Sequence, residues 1–302
     1  MRFASQFYRS TLNLKKLSYT SGLSSLSLYS LCAFHHTVAD CENEKSDKTT
    51  ALDPNEFRSF PVRSIERLNH NVKRIILDLP SEGHEMGLPV ASCLLTRAKI
   101  NNKQTIRPYT PVNLNSERGY IELVVKEYPK GIMSKHLCDL KPGDTVEIKG
   151  PKMKLPYEPN TYKKIGLIAG GSGLTPMLQI AKEICRNPND QTQVVLLFAN
   201  STEQDMYLQD ELDAMQFLYP QFEVHHVISR PSKEWEGLSG TITKEMIQEV
   251  MPSPSNEILV CVCGPPGMMH LICGERSKDM SQGDLEGLLK ELEYSSKNVY
   301  KF

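Results

Sequence analysis

The sequence has almost no net charge, no paired-cysteine motif and no hydrolase signature, and each absence excludes a class of protein. Lys plus Arg number 35 and Asp plus Glu number 36, so no global basic field exists to attract nucleic acid. The eight cysteines contain no C-x-x-C pair and match neither a secreted disulfide framework nor an iron–sulfur pattern. Gly-x-Ser-x-Gly and His-Glu-x-x-His are also missing. We therefore expect no nucleic acid partner and no metal site.

What is present is the composition of a folded protein with room for two domains. The chain has 302 residues, of which 39% are apolar and 24% are charged. A chain of this length and composition forms one large domain or two of ordinary size around a real core.

The N-terminus differs in composition from the rest. Residues 1–36 are basic and rich in serine, and the first acidic residue is Asp40. This composition is typical of a mitochondrial targeting segment, with a secretory signal or a disordered tail as alternatives. Its apolar stretch GLSSLSLYSLCAF falls short of the roughly 20 residues of a membrane span, although it would serve as a weak anchor if extended at both ends. Residues 37–56 are polar and predict a linker.

Residues 57–158 follow a strand-like pattern punctuated by turns. KRIILDL, VASCLLTRA, YIELVVK and DTVEIKG are runs of strand-forming residues. In the third run Ile121, Leu123 and Val125 alternate with other residues and share one face. The segment GIMSKHLCDL predicts a short helix before the last run. The pattern predicts an N-terminal antiparallel β-barrel or sandwich.

Residues 159–302 alternate buried strands with helices. KIGLIAGG, QVVLLFAN, FEVHHVIS and EILVCVCG predict strands, and the stretches between them predict helices of about ten residues. Such alternation predicts a C-terminal α/β domain with a doubly wound parallel sheet. Ligands bind at the carboxyl ends of the strands in these sheets, so motifs there are candidates for a site.

A glycine-rich turn ends the first of these strands. Gly171, Ser172 and Gly173 precede Thr175 and Pro176, which suit the start of a helix. Glycines let the backbone approach a diphosphate, and a helix N-terminus offers free N–H groups. The spacing is neither that of the Gly-x-Gly-x-x-Gly fingerprint nor that of a nucleotide-triphosphate loop. A diphosphate site or an ordinary strand–helix turn both fit.

The segment IRPYTPVN of the first domain pairs a cation with an aromatic ring. Arg107 and Tyr109 are two apart on a segment straightened by Pro108 and Pro111, so they face the same side. Thr110 faces the other way or lies at a bend. This pair could bind a phosphorylated planar ligand, or it could be a surface cation–π pair on an edge strand.

The last predicted strand carries Cys261 and Cys263 on one face. Cys261 lies within the sheet and is most simply a core residue. Cys263 is the final strand residue, where a ligand crevice would open. No further metal ligands are evident nearby, and the geometry of close neighbours disfavours a disulfide.

Four segments, taken in order, resemble the motifs of the NADH–cytochrome b5 reductases, which are flavoenzymes of the ferredoxin reductase-like superfamily. The segments are RPYTPV, VVKEYPKGIMSKHL, GGSGLTPM and CGPPGMM. The resemblance covers roughly residues 57–302 and is strongest to the fungal mitochondrial branch. It implies a flavin domain followed by a nicotinamide nucleotide domain, with FAD and NADH as cofactors.

The resemblance assigns flavin contacts in the first domain. Arg107, beside Pro108, would bind the flavin phosphates, Tyr109 would lie against the isoalloxazine and Thr110 would bond near flavin N5. A second group would hold the FAD diphosphate at a helix start, and it consists of Gly131, Met133 and Ser134. The sequence departs from the family at Lys130 and Ile132. Contacts made by backbone N–H groups do not depend on these two side chains.

The resemblance also assigns nicotinamide contacts. Val125 and Lys126 end a strand that leads into the FAD loop, and Lys126 resembles a family lysine near the nicotinamide. The ordinary alternative is a solvated strand residue. In the second domain the diphosphate passage would be lined by Gly171, Ser172, Gly173, Thr175 and Pro176; Ser172 stands where relatives usually have threonine.

Coenzyme choice and hydride transfer depend on two further positions. Asp205 resembles a carboxylate facing the adenosine ribose, where its charge would favour NADH over NADPH; an acid at a helix start is the ordinary alternative. Cys263 would stand beside the nicotinamide. Gly264 and Pro265 would shape the adjoining loop, with Met268 behind it.

These assignments predict an FAD enzyme that oxidises NADH and passes single electrons to cytochrome b5 or a similar haem protein. Thr110, Lys126 and Cys263 are the predicted catalytic residues. Alternatives are a related reductase with another acceptor, such as a quinone, and a non-catalytic NADH-responsive binding protein. We expect a monomeric catalytic part, membrane association through the N-terminal segment, and location at the mitochondrial outer membrane or intermembrane space.

Overall fold

The computed structural model describes residues 50–302. The predicted targeting segment, residues 1–36, and most of the predicted linker lie outside the described residues. Within residues 50–302, no helix combines the length and the apolar character needed to cross a membrane.

The first half forms an antiparallel sheet of six strands in the order β4-β3-β6-β1-β2-β5. The strands and the one helix among them are β1 (Arg58–Arg67), β2 (Val72–Asp78), β3 (Ser92–Ile100), β4 (Lys103–Tyr109), β5 (Tyr120–Lys126), α1 (Ile132–Asp139) and β6 (Thr145–Met153). Helix α1 contacts both edge strands, β4 and β5, and covers the side where the described strands do not pair with each other. The antiparallel prediction is confirmed, and the barrel is completed on that side by a helix.

The interior of this sheet follows the alternation expected from the sequence. Ile121, Leu123 and Val125 of β5 all belong to its core. Val124, on the opposite face of β5, is also buried because that face packs against the second half of the chain. Strand β1 matches none of the predicted runs. Only Phe60 and Val62 among its ten residues are buried, so its sequence has no long apolar pattern.

The second half forms a parallel sheet of six strands in the order β10-β9-β8-β7-β11-β12. Its elements are β7 (Lys164–Gly170), α2 (Leu174–Arg186), β8 (Gln193–Asn200), α3 (Gln209–Leu218), β9 (Phe222–Ile228), β10 (Leu238–Ser239), α4 (Lys244–Val250), β11 (Ile258–Cys263), α5 (Pro266–Cys273), α6 (Gly287–Glu291) and β12 (Val299–Lys301). The predicted parallel α/β arrangement is confirmed.

Helices cover both faces of the parallel sheet. Residues of α2 and α3 pack on one face, and residues of α4, α5 and α6 pack on the other. Phe198 of β8 is 0% exposed beneath α2; burying a side chain of this size stabilises the fold by about 1.5–3 kcal/mol. The cluster under α2 also contains Val72 and Val124 of the antiparallel sheet and Val112 of the segment between β4 and β5, so an apolar contact joins the two halves.

Candidate active site

The glycine-rich turn lies where the central strand of the parallel sheet ends. Strand β7 ends at Gly170, a single 3-10 turn spans Gly171–Gly173, and α2 begins at Leu174. The N-terminus of α2 has no side-chain cap and no acidic residue in its first turn. Its free N–H groups and positive dipole end are therefore available to an anion.

The turn is packed directly against the end of strand β11. A Cβ atom on Gly173 would lie 2.1 Å from the backbone oxygen of Cys263. Only glycine allows this approach, although its φ of −66° is open to any residue. The close contact places the Cys263 residue beside the predicted diphosphate turn.

The two cysteines of β11 lie in different surroundings. Cys261 is 0% exposed in the core under α2. Cys263 is the last residue of β11 and is partly exposed. Burial around its sulfur raises the pKa of the Cys263 thiol to about 12. Cys263 is therefore a neutral thiol at physiological pH, suited to contacting a ring rather than to acting as a nucleophile.

Met268 of α5 packs against Gly170 at the end of β7 and against Gly264 just after β11. A Cβ atom on Gly170 would lie 2.4 Å from its sulfur, and one on Gly264 would lie 2.8 Å from it. The same Gly170 position would come within 3.0 Å of Pro265. The predicted residues Gly264, Pro265 and Met268 thus lie together against the carboxyl end of β7.

Inside the turn, Thr175 and Pro176 are both buried in the first turn of α2. The Thr175 hydroxyl donates to the Ser172 backbone oxygen at 3.3 Å. In this structure Thr175 therefore stabilises the shape of the turn.

Arg107 presents a cation that no carboxylate of residues 50–302 neutralises by a salt bridge. It lies exposed on β4 beside Pro108, and its guanidinium donates to the Ile106 backbone oxygen at 2.8 Å. Tyr109, two residues on, packs against the core of the antiparallel sheet, and burial raises the pKa of its hydroxyl. Thr110 lies just past the end of β4 and is partly exposed. The segment keeps a free charge and a half-buried ring side by side.

The second predicted flavin loop is a tight turn at the start of α1. Ser134 donates to the Gly131 backbone oxygen at 3.2 Å and accepts from the Tyr128 N–H at 3.3 Å. A Cβ atom on Gly131 would lie 2.2 Å from the Ser134 hydroxyl oxygen. Met133 is buried, whereas Ile132 is 52% exposed. Helix α1 has no N-terminal side-chain cap and no acidic residue in its first turn, so this loop also offers free N–H groups.

Tyr128 joins the two loops across the domain boundary. Its hydroxyl lies 2.8 Å from the Ser172 hydroxyl. On the other side of the turn, the buried Tyr207 hydroxyl donates to the Gly171 backbone oxygen at 2.9 Å. Neither tyrosine was among the residues predicted from the sequence, although Tyr128 lies two residues after Lys126 within the motif VVKEYPKGIMSKHL.

Lys126 and Asp205 form an ion pair with each other. The Lys126 Nζ atom lies 3.0 Å from the Asp205 carboxylate, and both side chains are 12% exposed. Thr202 and Asn71 also donate to this carboxylate, at 2.9 and 3.3 Å. Burial opposes ionisation of Asp205, but the hydrogen bonds and charge of Lys126 hold the pKa of that carboxyl below its ordinary value. The two residues were predicted separately, and the structure brings them together.

These residues fit two anionic dinucleotides. Each half contributes a glycine turn that opens an uncapped helix, and the first half adds the unpaired Arg107. Of the predicted residues, Val125 and Met133 belong to the core of the antiparallel sheet, so their side chains support the loop rather than facing a ligand. Within residues 50–302 no three His, Cys, Asp or Glu side chains are grouped so that they could hold a metal ion.

Comparisons with known proteins agree with this geometry. The Oxidoreductase FAD-binding domain family matches residues 59–157, and the Oxidoreductase NAD-binding domain family matches residues 167–274. An NADH-cytochrome b5 reductase-like protein of Arabidopsis thaliana is 43% identical over 269 residues, covering 87% of this chain and 82% of that protein. NADH-cytochrome b5 reductase 2 of Botryotinia fuckeliana is 46% identical over 250 residues, covering 82% of this chain and 72% of its own. The chain belongs to the NADH–cytochrome b5 reductase family.

Solved structures place this family member in the same architecture. The cytochrome b5 reductase domain of Ulva prolifera nitrate reductase superposes with a TM-score of 0.75 at 30% identity, covering 84% of this chain and 100% of that one. This NADH–cytochrome b5 reductase homologue is an FAD- and NADH-dependent oxidoreductase, as the motifs predicted.

The two cysteines of β11 are expected to respond differently to replacement by alanine. Because Cys263 ends β11 beside the predicted diphosphate turn, Cys263→Ala should lower kcat about tenfold through a less constrained reacting geometry. Cys261→Ala should leave kcat unchanged and lower the free energy of unfolding by about 1 kcal/mol, since it removes only core contacts. Steady-state NADH turnover and urea unfolding measure the two effects. Equal losses of kcat in both variants would contradict the assignment.

Proposed function

We propose that this flavoenzyme passes electrons from NADH, one at a time, to cytochrome b5 or a similar haem protein. The observation that carries the proposal is the contact between Tyr128 and Ser172 at 2.8 Å. It joins the loop predicted to hold the FAD diphosphate to the loop predicted to hold the NADH diphosphate. Both cofactors would therefore meet in one crevice between the two sheets.

The protein's own groups would bind and orient the reacting rings. FAD, when bound, supplies the acceptance of hydride and the release of single electrons, which no side chain can provide. Arg107 and the N-terminus of α1 would hold its phosphates, and Thr110 would donate a hydroxyl hydrogen bond to its ring system. Cys263, as a neutral thiol, would form the wall of the site on the side of the nicotinamide ring. Hydride transfer needs no obligatory general acid or base, so orientation is the main task of these residues.

The direct test is to identify the bound flavin and then compare electron acceptors. We expect the purified protein to be yellow, to release FAD on denaturation, and to be bleached by NADH faster than by NADPH. Reoxidation by cytochrome b5 should outpace reoxidation by a quinone in rapid-mixing experiments. A colourless protein that takes up no flavin on reconstitution would refute the proposal. Faster reoxidation by the quinone would support the alternative reductase.

We further propose that residues 1–36 direct the chain to the mitochondrial outer membrane or intermembrane space. The support is the basic, serine-rich composition and the lack of acidic residues before Asp40. A fluorescent protein carrying residues 1–56 at its N-terminus should mark mitochondria, and protease protection should distinguish the two compartments. Diffuse fluorescence would refute this placement, and an endoplasmic reticulum pattern would support a secretory signal. We also propose a monomeric catalytic part, which sedimentation would test.

A further inference from the structure

Helix α2 carries two polar side chains at positions where the helix is buried. Gln179 is 2% exposed and Lys182 is 6% exposed, in a helix whose other buried residues are mostly apolar. The two lie three residues apart and therefore on the same face. A buried amide and a buried ammonium are costly unless they have partners. The Gln179 amide nitrogen and the Lys182 ammonium each have one, whereas the Gln179 carbonyl oxygen has none within residues 50–302.

Their partners are two successive carbonyl groups of the flavin domain. Gln179 donates to the Pro111 backbone oxygen at 3.3 Å, and Lys182 donates to the Val112 backbone oxygen at 2.8 Å. These carbonyls come directly after Thr110, the residue predicted to contact the flavin ring. A helix of the nicotinamide domain thus holds the end of the flavin-binding segment by its backbone.

Lys182 also belongs to a row of alternating charges that spans both domains. Its ammonium lies 2.5 Å from Glu211 of α3, and Glu211 lies 3.8 Å from the guanidinium of Arg74 on β2. Arg74 in turn lies 2.8 Å from Glu122 of β5. The Glu122 backbone oxygen accepts the N–H of Val112 at 3.0 Å, so Val112 is held at both its carbonyl and its amide. Partly buried charges in such a row interact more strongly than exposed pairs.

The same helix begins at the diphosphate turn. Its N-terminus follows Gly173, and Lys182 comes eight residues after the first helical residue, Leu174. At a rise of about 1.5 Å per residue, the two points are separated by about 12 Å of rigid helix. One end of α2 therefore lies at the predicted NADH site and its middle holds the predicted flavin site.

We propose that Gln179 and Lys182 are positioning residues that set the separation of the flavin and nicotinamide rings. Their hydrogen bonds hold the Thr110 segment against α2, so the positions of both rings are fixed relative to the same helix. The inference rests on the proposed function, because it takes the Thr110 segment as a flavin contact. Hydride transfer is steeply sensitive to geometry, and a displacement of about 1 Å costs about 100-fold in rate. Loss of these contacts should slow flavin reduction more than it weakens binding of either cofactor.

The test compares Lys182→Met with a matched control on the same helix. Arg186→Met removes an interdomain ion pair of α2, that with Glu117 at 2.9 Å, without touching the carbonyls after Thr110. For the FAD-loaded Lys182→Met enzyme we expect the rate constant of flavin reduction by NADH to fall about 30-fold to 100-fold, with KM for NADH within about threefold. Arg186→Met should reduce the flavin at the wild-type rate, and Lys182→Arg should restore most of the lost rate.

Two further readouts do not depend on turnover. Amide hydrogen exchange in residues 107–112 should speed up in Lys182→Met and remain unchanged in Arg186→Met; Leu114 is left out because its N–H is held by Glu117, the partner of Arg186. The visible circular dichroism of the bound flavin should change in the first variant alone. Gln179→Met, which leaves no buried charge unpaired, should show the same pattern with a rate loss of about threefold to tenfold, and so replaces Lys182→Met if that variant fails to fold.

Equal rate losses in Lys182→Met and Arg186→Met would overturn the inference. The rate of flavin reduction would then depend on interdomain contacts in general and not on the bonds to the carbonyls after Thr110. Unchanged exchange in residues 107–112 of Lys182→Met would overturn it as well. Failure of the proposed function is a separate result, because it would appear in the wild-type protein as absent flavin or absent reduction by NADH. Even then the hydrogen-exchange comparison would show whether Lys182 holds the Thr110 segment.

Discussion

Replacing Gly173 with alanine is expected to lower the rate of flavin reduction by NADH at least about 100-fold while FAD remains bound. The added Cβ atom would lie 2.1 Å from the Cys263 backbone oxygen and 2.5 Å from its carbonyl carbon. Both are backbone atoms at the end of a buried strand, so neither can move aside as a flexible side chain would. The diphosphate turn must then separate from β11, and the predicted NADH site loses its shape.

The effect should be confined to the nicotinamide side of the crevice. The predicted FAD contacts of Arg107, Gly131 and Ser134 lie in the antiparallel half, and none of them contributes any of the three atoms nearest to the added Cβ atom. Rapid mixing of the FAD-loaded variant with NADH measures the rate, and the flavin spectrum measures cofactor content. Reduction at the wild-type rate would contradict the argument, and loss of FAD as well would show that the substitution disrupts the whole fold.

Gly267, near the start of helix α5, provides a matched control. A Cβ atom there would meet no atom within 4 Å, and the residue lies in the first turn of α5. Gly267→Ala should leave flavin reduction unchanged and stabilise the protein by up to about 1 kcal/mol, because alanine is the better helix former.

Replacing Asp205 with asparagine is expected to raise the preference for NADPH over NADH about 100-fold, measured as the ratio of kcat/KM values. The carboxylate now neutralises Lys126 at 3.0 Å in a site where both side chains are 12% exposed. Asparagine removes one negative charge and leaves the Lys126 ammonium unpaired. If the adenosine ribose lies here, as the family resemblance implies, the extra phosphate of NADPH meets attraction in place of repulsion. Two charges about 4 Å apart near a protein surface interact by about 4 kcal/mol, which is enough for this shift.

Two controls separate local charge from general acidity. Asp205 lies in a 3-10 turn, Glu203–Asp205, and Glu203→Gln alters another acid of that turn, whose carboxylate accepts the Ser232 N–H at 2.7 Å. It should leave the preference unchanged. The double variant Asp205→Asn, Lys126→Met should lose most of the gain, since the freed cation is then absent. The preference should also weaken at high salt. An unchanged coenzyme ratio in Asp205→Asn would show that the ribose lies elsewhere.

Elements with a strong local pattern could be predicted closely from the sequence. YIELVVK and QVVLLFAN are strands over the expected residues, because their alternation or continuous apolar character depends only on neighbours in the chain. The helix whose start the sequence predicts at Thr175 and Pro176 begins one residue earlier, at Leu174. Strand β1 was not predicted because polar and charged residues make up most of its length, and its place in the sheet depends on pairing with β2 and β6.

The candidate site divides in the same way. The glycine turns and the strand-end cysteine are local features, so the sequence, together with its family resemblance, was sufficient to name them as candidates. The ion pair between Lys126 and Asp205 joins residues 79 positions apart, and the bond from Lys182 to Val112 spans 70. No local pattern predicts such partners, because they depend on how the two sheets pack.

By itself, the sequence determined the order of the two sheets, the turns that open their helices and the family to which the chain belongs. The physical reason is that strand periodicity, glycine conformation and helix initiation depend on residues a few positions apart. Only the tertiary structure decided that Lys126 neutralises Asp205, that Tyr128 reaches Ser172 and that α2 holds the segment after Thr110. Those contacts arise because an apolar cluster between the two halves, including Val124, draws polar groups from distant parts of the chain into one buried boundary where each requires a partner.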